Sequence, residues 1–303
     1  MRALVTGVGG FLGAHLAARL AADGWQVRGL ARPASPPWRL ATLGLEGRVA
    51  TEAVDLARPL PPETGYDVDV AFLLAATRAG ATAAERRRTA LVNVLGAQQV
   101  VEALGPRCRA VVWVGSSTEY GAGPAPMAES APLAPRGYFG ATKAAGSLLV
   151  AATAAARGLR SVVLRAFQVF GPLDHPGRLV PAALAAARTG TVLPLTVPGR
   201  CRDWVFVDDV VAACTAAASA EALAPGAVLN IGTGRQVANE ELVAEVERVT
   251  GREVRVAVGA HPGRAWDAER WVCDPTRARQ LLGWRARVGL DEGLARCWAW
   301  ATA

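Results

Sequence analysis

The chain begins with a short apolar run, residues 2–6 (RALVT), and passes at once into Gly7, Gly10 and Gly13 before a long amphipathic stretch, residues 11–23. Three glycines at that spacing between a strand and a helix meet three physical demands. They allow a tight turn, let backbone amides approach a pyrophosphate, and let the helix pack closely on the strand. The N-terminus of the helix adds its partial positive charge to the same spot. A chain with this opening is constrained to start as a βαβ unit with a dinucleotide held across its first turn.

The rest of the first half keeps that rhythm. Residues 26–30, 48–54, 68–74, 110–115 and 160–165 are Val-, Leu- and Ala-rich runs of strand length, and helical patterns over 82–104 and 140–157 lie between them. Alternating strands and helices give a parallel sheet covered on both faces, an α/β, Rossmann-type doubly wound fold. After about residue 172 the pattern changes to helices over 179–189 and 239–251 with short strands and many Gly and Pro turns. The expected division is a dinucleotide-binding domain, 1–171, and a smaller α/β substrate lobe, 172–303, intimately packed with some chain exchange.

Composition excludes several classes. With 303 residues, 51% hydrophobic and 19% charged, the chain can bury a large core. Its uncharged stretches fall short of the roughly 18 residues of a membrane helix, and the N-terminus lacks the order of a signal peptide, so a cytoplasmic protein is expected. The five cysteines form no CxxC pair and have no histidine at ligand spacing, which predicts small core residues and no metal site. The net charge of +7 comes from dispersed arginines. That pattern suits anionic small molecules and predicts no nucleic-acid partner. Lys143 is the only lysine among 33 Lys and Arg. Arginine can replace lysine wherever only charge is needed but cannot enter a tight site shaped for an ammonium, so Lys143 is a candidate chemical residue.

Nine segments appear in a shared order: VTGVGGFLG at 5–13, Asp55-Leu56, LLAAT at 73–77, NVLG at 93–96, SSTEYG at 116–121, LRAFQVFGP at 164–172, RDWVFVDD at 202–209, LNIGTG at 229–234 and LLGW at 281–284. In these the chain resembles the extended short-chain dehydrogenases/reductases of the nucleotide-sugar epimerase, dehydratase and ketoreductase group. The resemblance implies that Gly7, Gly10, Phe11, Leu12 and Gly13 form the phosphate turn, and that Asp55 and Leu56 flank an adenine. Leu74, Ala75, Ala76, Thr77 and Asn93 would lie along the cofactor. Ser116 would hydrogen-bond the substrate oxygen, and Lys143 would hold the nicotinamide ribose. Ser117, Thr118 and Gln168 would face the substrate, with Arg202 and Arg264 on a nucleoside diphosphate. Trp266 and Trp271 would stack on its base or serve as core. Homodimers would form through the helices over 82–104 and 140–157.

Two departures shape the functional expectation. The second strand ends in Ala31 and Arg32 without a carboxylate, so Arg32 can pair with a 2′-phosphate and NADP(H) is favoured over NAD(H). The family's catalytic tyrosine, four residues before the lysine, is replaced by Phe139, while a tyrosine stands one place earlier as Tyr138. Either the helix starts late and Tyr138 swings in, or Ser116, a water, Asp174 or His175 supplies the proton, or Lys143 serves cofactor binding alone. The acid pair of the dehydratases is absent, with Ser117 and Thr118 in its place, and Glu119 next to them reads as a loop-surface carboxylate. The leading expectation is an NADP(H)-dependent ketoreductase acting on a nucleotide-linked 4-keto-deoxyhexose, with epimerisation second. Reduction of a non-nucleotide ketone and a cofactor-binding pseudoenzyme are the alternatives.

Overall fold

The computed structural model describes every residue except 34–37, 79, 122, 124 and 263–268. Six strands follow the expected sequence: β1 (Arg2–Thr6), β2 (Gln26–Ala31), β3 (Val49–Ala53), β4 (Val70–Leu73), β5 (Ala110–Ser116) and β6 (Arg160–Ala166). Four short strands come next: β7 (Gln168–Phe170), β8 (Leu193–Leu195), β9 (Cys201–Arg202) and β10 (Trp204–Phe206). Then β11 (Ala227–Ile231) returns to pair with β6, completing a seven-stranded parallel sheet in the order β11-β6-β5-β4-β1-β2-β3. The strands β12 (Val237–Ala238) and β13 (Val256–Val258) pair with β9 and β8. The sheet crosses the 171/172 division, because its outermost strand comes from the second half of the chain.

Both faces of the sheet are buried, and the alternation of side chains sorts them. Ala3 and Val5 of β1 and Val112 of β5 join one apolar cluster, while Leu4, Val111 and Trp113 join the other. The helices are α1 (Phe11–Ala22), α2 (Trp38–Thr42), α3 (Ala83–Ala90), α4 (Ala97–Glu102), α5 (Tyr138–Ala156), α6 (Leu179–Thr189), α7 (Val207–Ser219), α8 (Asn239–Thr250), α9 (Thr276–Leu282) and α10 (Leu290–Thr302). Of these α1, α5 and α7 pack on the sheet, whereas α6, α8 and α10 pack mainly on one another and on the short strands β8, β12 and β10. The sequence pattern did not anticipate α2, α7, α9 or α10.

The helix expected over 82–104 is instead α3 and α4 joined by a π-helical turn, Leu91–Gly96. Close packing accompanies that turn, since a Cβ on Gly96 would lie 2.5 Å from the Leu56 carbonyl oxygen. By length and composition α5 could cross a bilayer, yet its Thr142, Lys143 and Ser147 all lie on its buried face.

From β1 the chain proceeds to β2 and β3 on one side, then crosses to β4, β5 and β6 on the other. A crevice therefore opens beyond the carboxyl ends of β1 and β4, the place where such sheets bind ligands.

Candidate functional site

Thr6, at the end of β1, turns its hydroxyl toward β4 and accepts the Leu74 and Ala75 amides, each at 3.0 Å. Gly7 follows in the left-handed region, φ +70°, where a Cβ would meet the Ala75 Cα at 2.8 Å. Gly10 caps α1 with no side-chain hydrogen bond and no acid in the first turn, which leaves the amide end of the helix free of internal anions. Only a glycine fits at position 13, since its Cβ would fall 2.2 Å from the Gly7 oxygen. Phe11 and Leu12 continue into the helix.

One cleft collects Gly7, Gly10, Arg32, Asp55, Leu56 and residues 74–77. Asn93 reaches it indirectly. It is fully buried, accepts the Thr77 amide at 2.8 Å and donates to the Thr77 carbonyl and the Thr142 hydroxyl, each at 3.0 Å.

Two charged residues of the cleft, Arg88 and Arg39, escaped the sequence reading. Arg88 binds both Asp55 oxygens, at 2.8 and 3.2 Å. Burial alone would raise the Asp55 pKa, but Arg88 and the Ala57 amide outweigh it and hold the carboxyl below its usual range. Arg39 donates to the Leu173 carbonyl at 2.9 Å and to Gly9 at 3.3 Å, fastening the loop after β7 to the glycine turn. Asp174 in that loop is engaged by the His175 amide and Arg178, and the His175 Nδ1 accepts the Gly177 amide. Burial raises the Asp174 pKa against the pull of Arg178.

At the end of β5 the Ser116 hydroxyl lies 2.8 Å from the Thr118 hydroxyl. Ser117, expected to face substrate, accepts the indole N–H of Trp271 at 2.8 Å. Trp271 is itself buried, which favours the core reading over base stacking. The Lys143 ammonium donates to the Val114 carbonyl at 2.5 Å and sits 3.9 Å from the centroid of the Trp113 ring. Its burial pushes the pKa down from 10.5 to about 8, with the charge of Glu119 opposing.

Two expectations are corrected here. The helix does not start late: Gly137 is its extended cap, φ −107° and ψ 150°, so Tyr138 is the first helical residue. Five residues before Lys143 is about 140° around a helix, and Tyr138 is 41% exposed. Phe139 occupies the position one turn from Lys143. Glu119, read as a surface carboxylate, is completely enclosed. It accepts the Ser116 amide at 2.8 Å, Arg165 Nε at 3.1 Å and the Ser147 hydroxyl at 3.2 Å. Its burial depends on an arginine that lies 46 residues further along the chain.

Gln168, on β7 at the end of the first domain, pairs with Trp204 on β10 of the second lobe. Arg202 donates to the Cys201 carbonyl at 2.6 Å, and its guanidinium is 5.9 Å from the Trp271 ring centroid. The adjacent Asp203, also missed, is buried and accepts the Thr233 amide and hydroxyl, the Gly234 amide and the Cys273 amide. It ties two of the nine motifs, RDWVFVDD and LNIGTG, to each other and to the backbone at Cys273. Arg264 and Trp266 lie outside the described residues. Four cysteines are buried and Cys201 is partly exposed. Among the described residues no cluster of His, Cys, Asp and Glu is placed to hold a metal ion.

A parallel sheet with a glycine turn at its switch point, a serine ending β5 and a buried lysine on α5 defines the extended short-chain dehydrogenase/reductase class of enzymes. The chain belongs to the NAD dependent epimerase/dehydratase family, whose family model matches residues 3–232. It is 31% identical to a UDP-glucose 4-epimerase of Mycolicibacterium smegmatis over 98% of this chain and 97% of that protein. With the low-salt glycan biosynthesis protein Agl12 of Haloferax volcanii it shares 33% identity over 56% of this chain and 54% of that protein. Among solved structures, MoeE5 in complex with UDP-glucose and NAD has a TM-score of 0.86 at 30% identity, covering 100% of this chain and 99% of that one.

Proposed function

We propose that this protein is an NADP(H)-dependent ketoreductase acting on a nucleotide-linked 4-keto-deoxyhexose. The observation that carries the reading is the pairing of an intact cofactor cleft with a site whose hydrogen-bonding groups are proton donors. The Ser116–Thr118 hydroxyl pair lies at the end of β5, the Lys143 ammonium is behind it on α5, and Phe139 stands where a phenol would be. The glycine turn fits the pyrophosphate of a nicotinamide cofactor, because the close backbone approach at Gly7 and Gly13 leaves no room for side chains and the α1 terminus is uncapped.

A bound nicotinamide supplies the hydride. Within the chain, the first-turn amides of α1, at Phe11, Leu12 and Gly13, would hold the pyrophosphate, since those of Gly7, Val8 and Gly10 are spent on backbone carbonyls. Thr77 is braced by Asn93 along the cleft, and Lys143 would take the ribose. Ser116 gives its proton to the oxygen that becomes an alkoxide as hydride adds to the carbonyl carbon, and is reprotonated through Thr118, which is partly exposed, from solvent. Oxidising a sugar alcohol needs a base at this point, and alcohol hydroxyls are poor bases at neutral pH. Reducing a ketone needs only a donor, which is why reduction is placed ahead of the epimerisation that the relatives' names suggest.

NADP preference rests on Arg32, which lines the cleft at the end of a strand without a carboxylate. MoeE5, a relative of known structure, holds NAD; the NADP reading for this chain is the proposal that Arg32 carries. The nucleotide part of the substrate is supported by the relatives' names and by Arg202 on the second lobe. We also propose a cytoplasmic homodimer packed through the helices of Leu95 and Leu148, both exposed.

The test is NADPH oxidation on a panel of 4-keto-sugar nucleotides, with calorimetry of NADP and NAD. Turnover on any member supports the reading. Cofactor binding without turnover on all of them would favour the pseudoenzyme reading, for which the missing phenol at Phe139 is the specific support.

A further inference from the structure

Glu119 has the most unusual environment in the molecule. Its side chain is enclosed between β5, β6 and α5, with no exposed surface. Room for it is made by Gly115, where a Cβ would lie 2.4 Å from Oε1. Each packed element contributes a group. The turn after β5 brings the Ser116 amide, β6 brings Arg165, itself buried, and α5 brings the Ser147 hydroxyl. Lys143 stands four residues before Ser147 on the same buried face of α5, which places its charge beside the hydroxyl that Glu119 accepts. Behind Arg165 lies the Tyr120 ring, 4.5 Å from the guanidinium, with its hydroxyl on Asn230 at 2.6 Å. Burial pushes the Tyr120 phenol up to about 12 against the pull of Arg165, so it stays neutral. The enclosure therefore contains two cations and one carboxylate.

We propose that Glu119 is a positioning residue of the reaction site. Its carboxylate fixes the turn that aims Ser116 and is the counter-ion of Lys143 on the facing side of α5. Arg165 completes the arrangement: it holds the carboxylate in place and competes with Lys143 for its charge. A purely structural carboxylate would anchor the turn and leave the lysine indifferent. The inference builds on the reading of Ser116 and Lys143 as reaction groups but concerns a property that can be measured without turnover.

The lone lysine makes the measurement direct. Protein grown with 13C-labelled lysine gives a single side-chain Cε signal, whose shift with pH reports the titration of Lys143. Glu119→Gln keeps an oxygen for the Ser116 amide but removes the charge. It should lower the midpoint by at least about half a pH unit, as loss of a nearby opposite charge does. Arg165→Gln leaves the carboxylate to Lys143 alone and should raise the midpoint. Glu119→Asp, which restores the charge, should return it toward the wild-type value. Midpoints that match the wild type in both Glu119→Gln and Arg165→Gln overturn the proposal. If Glu119→Gln does not fold, Arg165→Gln decides alone: an upward move supports the proposal and an unmoved midpoint overturns it. Since no arm depends on catalysis, failure of the functional reading and failure of this one are separate results.

Discussion

Lys143 and Trp113 meet face on inside the protein, with the ammonium 3.9 Å from the ring centroid and directed at the neighbouring Val114 carbonyl. The contact is favourable, of the order of 2 kcal/mol for a desolvated cation on an aromatic face, yet it does not cancel the cost of burying the charge. The lysine titrates at about 8 in the fold, against 10.5 for the free side chain. Below pH 8 it is charged in both states, so the folded protein carries the whole cost. Between pH 8 and about 10.5 the unfolded chain binds more protons than the folded one, and stability rises with pH. Lys143→Met should therefore be more stable than the wild type at pH 7, by up to about 3 kcal/mol. The advantage should shrink as pH rises from 8 to 10.5. Urea unfolding at several pH values checks this, and a constant difference across that range would contradict it.

Lys143→Arg should behave in the opposite way. The charge is kept, but a broad guanidinium must enter a space closed by Trp113, where overpacking costs about 1–3 kcal/mol. The melting temperature should fall, and NADP affinity should drop more than about tenfold, because the fork cannot reproduce the ammonium's geometry. Thermal melts and cofactor titration at wild-type values would show the lone lysine to be an accident of composition.

Arg32→Ala should weaken NADP by roughly 1.5–3 kcal/mol, the range for a hydrogen bond to a charged group, and leave NAD within about twofold of its wild-type affinity. Arg88 and Arg39 also line the cleft, but Arg88 is held by Asp55 and Arg39 by two carbonyls. Neither should substitute for Arg32. Calorimetry with both cofactors decides, and equal losses for the two would refute the assignment of Arg32 to the 2′-phosphate.

Arg202→Ala should weaken thymidine or uridine diphosphate by a similar roughly 1.5–3 kcal/mol without altering NADP affinity, since Arg202 lies on β9 in the second lobe. Competition titrations separate the two ligands. A wild type that binds neither diphosphate would shift the substrate toward a non-nucleotide ketone.

What could be read from the sequence was local, and what could not be read depended on distant partners. The first six strands were found within two residues at each end: β1, β2, β4, β5 and β6 are buried over most of their length and read as apolar runs, while β3 at the sheet edge buries only Val49. The glycine turn was legible because its geometry depends on contacts among residues close in sequence. By contrast, β11 joins β6 across 60 residues, and nothing within AVLNI (227–231) reveals that register. Ser117 looked like a substrate contact until Trp271, 154 residues away, took its hydroxyl. Glu119 looked exposed because isolated carboxylates usually are, and only Arg165 and the space beside Gly115 make its burial tolerable. The π-helical turn at Leu91–Gly96 carries no simple periodic signature, and it supplies the Asn93 that braces Thr77.

The displaced phenol gives the sharpest test of the reaction reading. Tyr138 begins α5 about 140° around the helix from Lys143 and is 41% exposed, so Tyr138→Phe should leave turnover within about twofold, well short of the 10²- to 10⁴-fold loss expected on removing a general acid. Phe139 is half-buried one turn before Lys143, where i and i+4 side chains share a face. Phe139→Tyr places a phenol beside the ammonium, whose charge favours the phenolate and lowers its pKa from about 10. A phenol near neutrality is a better acid and base than the Ser116–Thr118 hydroxyls, so this variant should raise NADPH-dependent reduction and, above all, the reverse oxidation of the sugar alcohol. Rates in both directions for wild type, Tyr138→Phe and Phe139→Tyr on one keto-sugar nucleotide panel are the measurement. A large loss in Tyr138→Phe would return the proton to Tyr138 and require that α5 unwind at its first turn when substrate binds.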